Sequence, residues 1–178
     1  MANILTLTLN PALDLTVRLA HLQPGEVNRS EAMLTHAAGK GVNVAQVLAD
    51  LGHYVSVGGF LGSANPQAFN ALIKRRGFGD AFIRVPGETR SNIKIAEQDG
   101  RVTDINAPGP LVTEEALKAL LKMVAIIGPE FDAVVVAGSL PRGVSVTVFV
   151  AALYVAEASG IGFVTIFFFF FVTEASVY

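Results

Sequence analysis

The sequence predicts an α/β protein, a doubly wound parallel sheet that carries a small β flap, and three observations lead there. Short apolar runs alternate with helical periodicities along the chain. One run, Phe131 to Ala137, is continuously apolar, as a strand must be when helices cover both its faces. Two segments, at about 13–30 and 90–106, contain residues alternating with a period of two, which keeps one face wet and sets them apart from a fully covered sheet. With 178 residues, 52% hydrophobic and 16% charged, the chain is no disordered tail and can fill one core. That length fits a single domain.

Each element follows from its local pattern. Ile4, Leu5, Leu7 and Leu9 form an apolar run stopped by Asn10-Pro11, a strand entering a turn. Leu13, Leu15, Val17 and Leu19 then alternate with Asp14, Thr16 and Arg18, which places Asp14 on the polar face of a flap strand. From Lys40 to Leu51 the period lengthens: Val44, Val47, Leu48 and Leu51 share a helical stripe, and Gly52 stops the helix. Val55 to Leu61 reads as a strand ending in glycines, and Gln67 to Arg76 as a short helix. Ile93 and Ile95 open a hairpin whose Asp99-Gly100 pair suits a type I′ turn. Thr113 caps a helix that carries Glu114 and Glu115 in its first turn, where the dipole favours acids. Val144 to Ala158 is expected to form the next helix, and Phe163 to Val172 a further buried strand.

Composition also excludes function classes. A net charge of -2 argues against nucleic-acid binding through bulk charge, which needs clustered Lys and Arg. The absence of cysteine removes disulfides and thiolate chemistry and is compatible with a reducing cytoplasm, the expected location. His21, His36 and His53 show no metal-ligand spacing. Residues 1–10 lack the basic start of a secretory signal. After Arg142 the only charged residues are Glu157 and Glu174, yet the uncharged run Ile161 to Val172 is shorter than the roughly 20 residues of a spanning helix. A buried strand is therefore expected there, and no membrane.

The segment richest in chemistry is Ala37-Ala38-Gly39-Lys40-Gly41-Val42-Asn43-Val44-Ala45. Backbone N–H groups, the positive end of a helix dipole and an ammonium converge there, which can hold a phosphate or a sugar hydroxyl. A Walker A loop would need glycine at Leu34 and Ser or Thr at Gly41, and a dinucleotide fingerprint would need glycine at Val44. The same pattern also serves as a plain helix cap.

Its surroundings make it specific. Thr8-Leu9-Asn10-Pro11-Ala12-Leu13-Asp14, Ala38-Gly39-Lys40-Gly41-Val42-Asn43-Val44-Ala45, Gly58-Gly59-Phe60-Leu61-Gly62, Glu88-Thr89-Arg90-Ser91-Asn92 and Gly138-Ser139-Leu140-Pro141-Arg142-Gly143 occur in that order. Together they resemble the bacterial 1-phosphofructokinases, sugar-phosphate kinases of the ribokinase-like, PfkB-type family, over roughly residues 3 to 145. The resemblance implies a ribokinase-like core and a flap acting as a lid. It implies that Asp14 accepts hydrogen bonds from sugar hydroxyls and that Gly39 and Gly41 let backbone approach the sugar. Lys40 would direct charge toward the substrate phosphate, and Asn43 would donate and accept to a hydroxyl. Arg90 would reach the phosphate with its planar guanidinium, and Asn92 would point to the same face. Ser139 would sit at the carboxyl end of a buried parallel strand, where open α/β sheets bind ligands.

The resemblance further implies ATP and Mg²⁺ as cofactors, fructose 1-phosphate as substrate and its 6-hydroxyl as phosphoryl acceptor. Tagatose-6-phosphate kinases and 6-phosphofructokinases of the same family are the nearest alternatives, and a non-catalytic sugar-phosphate-binding or dimerisation module is another. Partners would be the small-molecule sugar phosphate and a second copy clasped through the lid. The family's aspartate base, carried in Gly-Ala-Gly-Asp, is absent from the chain, and its Asn-x-x-Glu magnesium motif has no counterpart in the expected place. Residues 1–178 are therefore expected to be a single partial ribokinase-like domain, its amino-terminal part, with 144–178 as a divergent apolar tail marked by five consecutive phenylalanines at 167–171. No catalytic residue is assigned, and the chain alone is expected to be inactive.

Overall fold

The computed structural model describes residues 1–146 and the strand at 163–166. Leu5, Thr6, Leu7 and Thr8 are all buried because their strand, β1 (Asn3–Thr8), lies in the middle of the larger sheet. On one side it pairs with β4 (Tyr54–Gly62), which pairs in turn with β5 (Gly79–Val85). On the other side lie β8 (Ala133–Ala137) and then β9 (Phe163–Ile166). All these pairings are parallel, in the order β5-β4-β1-β8-β9. The chain winds outward from β1 to β5 and then returns to the opposite side at β8, so the crevice between β1 and β8 is the switch point of the sheet.

Helices cover both faces, as the doubly wound reading requires. Leu117, Leu120 and Val124 of α3 (Glu114–Ile127) pack on Leu5, Leu7, Val134 and Val136. On the opposite face, Val42 and Ala45 of α1 (Lys40–Asp50) and Phe69 and Leu72 of α2 (Gln67–Arg76) pack with Val55, Val57, Leu61 and Phe82. Thr113 caps α3 as expected, its Oγ1 accepting from Ala116 N at 3.2 Å.

The flap is a second sheet, in the order β3-β2-β6-β7. It consists of β2 (Ala12–Leu19), β3 (Ala32–Ala38), β6 (Arg90–Glu97) and β7 (Val102–Asn106). The expected span of 13–30 is corrected by this structure: the second strand begins at Ala32. Residues between the two strands form a connection in which the Asn28 side chain bonds Gln23 N, Gln23 O and Glu26 O. Such side-chain bonds offer the backbone an alternative to a sheet ladder.

Two further expectations are corrected. The Asp99-Gly100 turn is not type I′, which needs positive φ at two residues. Only Gly100 is positive, at 87°, while Gly100 N bonds Glu97 O and Glu97 N bonds Arg101 O. This is the three-residue hairpin loop closed by a left-handed glycine. In α1 the buried residues are Gly41, Val42 and Ala45, whereas Val47 and Leu51 of the expected stripe are exposed. The helix lies so close to β1 that it presents small residues there: a Cβ on Gly41 would meet Thr8 Oγ1 and stand 2.8 Å from Leu7 O. β5 had no counterpart in the sequence reading. The expected strand at 163–172 is present as β9 over its first residues; the remainder, and the helix expected at 144–158 beyond residue 146, lie outside the described residues.

Phe69 is fully buried and meets Phe82 edge-on, with ring centroids 5.8 Å apart. Phe69→Ala should lower unfolding free energy by about 3–5 kcal/mol in urea titrations. Val47→Ala should change it by less than about 0.5 kcal/mol if α1 buries the small-residue face.

Candidate functional site

The site forms where the carboxyl ends of β1 and β8, the amino end of α1 and the polar face of the flap meet. β1 runs out at Thr8 and the chain reaches Asn10-Pro11 before entering the flap; β8 ends at Ala137, placing Gly138 and Ser139 beside it. Gly39, with φ 138°, ends β3 and starts α1, and Asn43 N bonds its carbonyl at 2.8 Å. A side chain at Gly39 would be strained by that φ, and its Cβ would stand 2.6 Å from Thr8 Cγ2. No side chain caps α1, so its positive end is available to a ligand.

Across the flap, strand register aligns His36, Asp14, Asn92 and Asn106 in one row. Asn92 Nδ2 donates to Asp14 Oδ1 at 3.1 Å. Arg90 donates from Nη1 to Asn92 Oδ1 at 3.1 Å and from Nη2 to Asn10 O at 3.3 Å, which ties flap to core. Asn10 Nδ2 in turn reaches Ser139 Oγ at 3.2 Å and Leu140 O at 3.3 Å. A chain of polar contacts thus runs from Asp14 through Asn92, Arg90 and Asn10 to Ser139. Burial pulls the Arg90 pKa below its ordinary value, and the Asp14 charge opposes that shift. The guanidinium stays protonated at any working pH. Its Nε is buried without a hydrogen-bond partner, as is Asn10 Oδ1.

These groups enclose an open cavity of about 400 Å³. Asp14, Gly39, Lys40, Asn43, Arg90, Asn92 and Ser139 all line it, so seven of the eight residues selected from the sequence come together. Gly41 does not line it; it is buried against β1. Asn10 and Asn106 also line the cavity and were not selected. Asn10 was legible as a turn signal before Pro11 and as part of the first motif, but not as a cavity residue; Asn106 lies at the end of a short flap strand, where its pairing with Asn92 reveals it. A second cavity of about 400 Å³ adjoins across Asp14 and Asn43, between the flap and the helices α1 and α2.

Cavity and lining present an acceptor carboxylate, amides that donate and accept, and two cations, of which Arg90 is held by hydrogen bonds, a set suited to a polyhydroxylated anion. Elsewhere, His21, Glu97 and Asp99 form a cluster of ligand-type side chains at the outer end of the flap. His21 Nδ1 lies 2.7 Å from Glu97 Oε1, and Arg101 supplies a cation 3.8 Å from Glu97 and 3.4 Å from Asp99. None of these lines the cavity. Among the described residues, no helix is long and apolar enough to cross a membrane.

A parallel core carrying a second, smaller mixed sheet matches the architecture of solved phosphofructokinase structures. The family model described as pfkB family carbohydrate kinase matches residues 7–168, and the chain belongs to that family. Among its curated relatives, the 1-phosphofructokinase of Vibrio cholerae is 49% identical over 142 residues, 80% of this chain and 45% of that protein. The 1-phosphofructokinase of Haemophilus influenzae is 45% identical over 149 residues, 84% of this chain and 48% of the relative. The chain therefore spans about half the length of these relatives. Phosphofructokinase-2 from Escherichia coli, solved in complex with fructose-6-phosphate, superposes with a TM-score of 0.82 at 26% identity, covering 93% of this chain and 55% of that one. The fold is ribokinase-like, with the core incomplete relative to such structures.

Asn10→Ala removes the two side-chain bonds to Ser139 and Leu140 and should cost about 1–3 kcal/mol. Thermal or urea unfolding, with hydrogen exchange at residues 138–140 rising more than in β4, checks this.

Proposed function

We propose that this chain carries the sugar-phosphate site of a 1-phosphofructokinase-type enzyme, one that transfers the ATP γ-phosphoryl to the 6-hydroxyl of fructose 1-phosphate. The convergence of Asp14, Lys40, Asn43, Arg90, Asn92 and Ser139 on one cavity carries this reading. The relatives named 1-phosphofructokinase support the choice of sugar phosphate. Asp14 accepts from sugar hydroxyls, Asn43 both donates and accepts, and Arg90 with Lys40 meets the phosphate at the positive end of α1.

ATP and Mg²⁺ are implied by the family. Mg²⁺ takes oxygen ligands in near-octahedral geometry, and Asp14 is the one carboxylate lining this cavity, already accepting from Asn92. The residues lining this cavity do not by themselves make a Mg²⁺ site, and no step is assigned through ATP or Mg²⁺. What this chain contributes is binding, orientation and exclusion of water under the flap. The flap also supports self-association. By alternation, Leu15, Val17, Met33, Ile93, Ile95 and Ile105 share the face opposite Asp14, and Met33 and Ile105 are 60% and 52% exposed. A second copy of the flap covers that face best, giving a homodimer. The proposed use of ATP is in keeping with a cytoplasmic location.

Calorimetry should show fructose 1-phosphate binding without ATP, weakened about 10- to 100-fold by Arg90→Ala or Lys40→Ala. Fructose 6-phosphate and tagatose 6-phosphate should bind more weakly, and a coupled assay should detect no ADP release. Tighter binding of either competitor would reassign the substrate, and absence of heat with all three would remove the sugar-phosphate reading. In sedimentation experiments Met33→Glu should shift dimer to monomer; an unchanged distribution would exclude the flap as the interface.

A further inference from the structure

Arg90 is the first residue of β6, so its position depends on where the residue before it is held. Thr89 is 1% exposed and is fixed at three points. Its N–H donates to Asn65 Oδ1 at 2.7 Å, its carbonyl accepts from Asn65 Nδ2 at 3.0 Å, and its Oγ1 accepts from Gly62 N at 2.9 Å. The Asn65 carboxamide thereby mimics one rung of a β-ladder from a loop that belongs to the core. Adjacent bonds extend the seam: Ser63 N to Val85 O and Ala64 N to Gly87 O, each at 2.9 Å. Packing there leaves no room for adjustment, since a Cβ on Gly62 would run into Thr89 N and Glu88.

Asn65 does not line the cavity. We propose that Asn65 is a positioning residue for Arg90: its two-point clamp on Thr89 sets where the flap leaves the core and thus aims the guanidinium at the substrate phosphate. The assignment rests on the sugar-phosphate reading above for its ligand, and on the clamp geometry alone for its effect on Arg90. A planar guanidinium binds an anion by direction as well as charge, so a shift at its origin costs affinity for the phosphate and little for the sugar hydroxyls. The clamp also needs a donor and an acceptor on one side chain. In Asn65→Asp an ionised carboxylate would keep the bond from Thr89 N but set two oxygens against each other at Thr89 O; protonation would restore a donor there.

A double-mutant cycle with fructose 1-phosphate tests the proposal. Asn65→Ala should weaken binding about tenfold in the wild-type background and leave Arg90→Ala unaltered. Asn65→Asp should bind weakly at neutral pH and recover as pH falls through the carboxyl's titration, where wild type does not. Equal losses from Asn65→Ala with and without Arg90 would overturn the proposal, as would full affinity in Asn65→Ala. A ligand-free readout separates this from the substrate assignment: the NMR signal of the Arg90 Nε–H and the exchange protection of the Thr89 amide. Both should change in Asn65→Ala and Asn65→Asp even where no sugar phosphate binds. If both stay as in wild type, Asn65 does not position Arg90, whatever the ligand.

Discussion

A guanidinium drawn half out of water organises much of this molecule. Burial works against the charge of Arg90, and the structure compensates with the Asn10 carbonyl, the Asn92 amide and the nearby Asp14 carboxylate. Each compensating group comes from a different part of the fold: the end of the central strand, the same flap strand and the neighbouring flap strand. The core and flap must therefore sit in one relative arrangement for the charge to be satisfied. Such polar networks cost free energy when half made, which favours a single arrangement over a range of them.

The doubly wound core places the rest. Because the order of strands reverses at β1, the carboxyl ends of β1 and β8 leave a crevice, and the amino end of α1 opens into it. Gly39 and Gly41 keep that helix close to Thr8, so backbone takes the place that side chains would fill. The flap then closes the crevice with its polar face, while its other face carries apolar residues of which Met33 and Ile105 stay largely exposed. In the proposed reading one sheet serves two purposes, binding a sugar phosphate on one side and joining a second copy on the other.

Much of this was legible in the sequence, for physical reasons that differ by element. β2 announced itself because a half-buried strand must alternate, and α3 because Thr113 and its acids mark a helix start. The site residues were legible only because five short motifs resemble those of a known family; by local pattern alone each reads as a cap, a turn or a solvated charge. β3 was missed because it is an exposed edge strand: Met33, Leu34 and Thr35 follow no buried alternation. The buried face of α1 was misjudged because close approach selects glycine and alanine, which hydrophobic periodicity undervalues. Asn10 and Asn65 escaped notice because their importance lies in backbone groups distant in sequence, Leu140 O in one case and Thr89 in the other.

The central claim is that flap and core together make one sugar-phosphate site in this half-length chain. Amide NMR spectra of isotopically labelled protein, recorded during titration with fructose 1-phosphate, test it most directly. The account predicts shifts concentrated at residues 39–43, 90–92 and 138–139, all saturating at one ligand concentration. Shifts confined to the outer flap around Glu97, or shifts in the core alone with the flap silent, would contradict it.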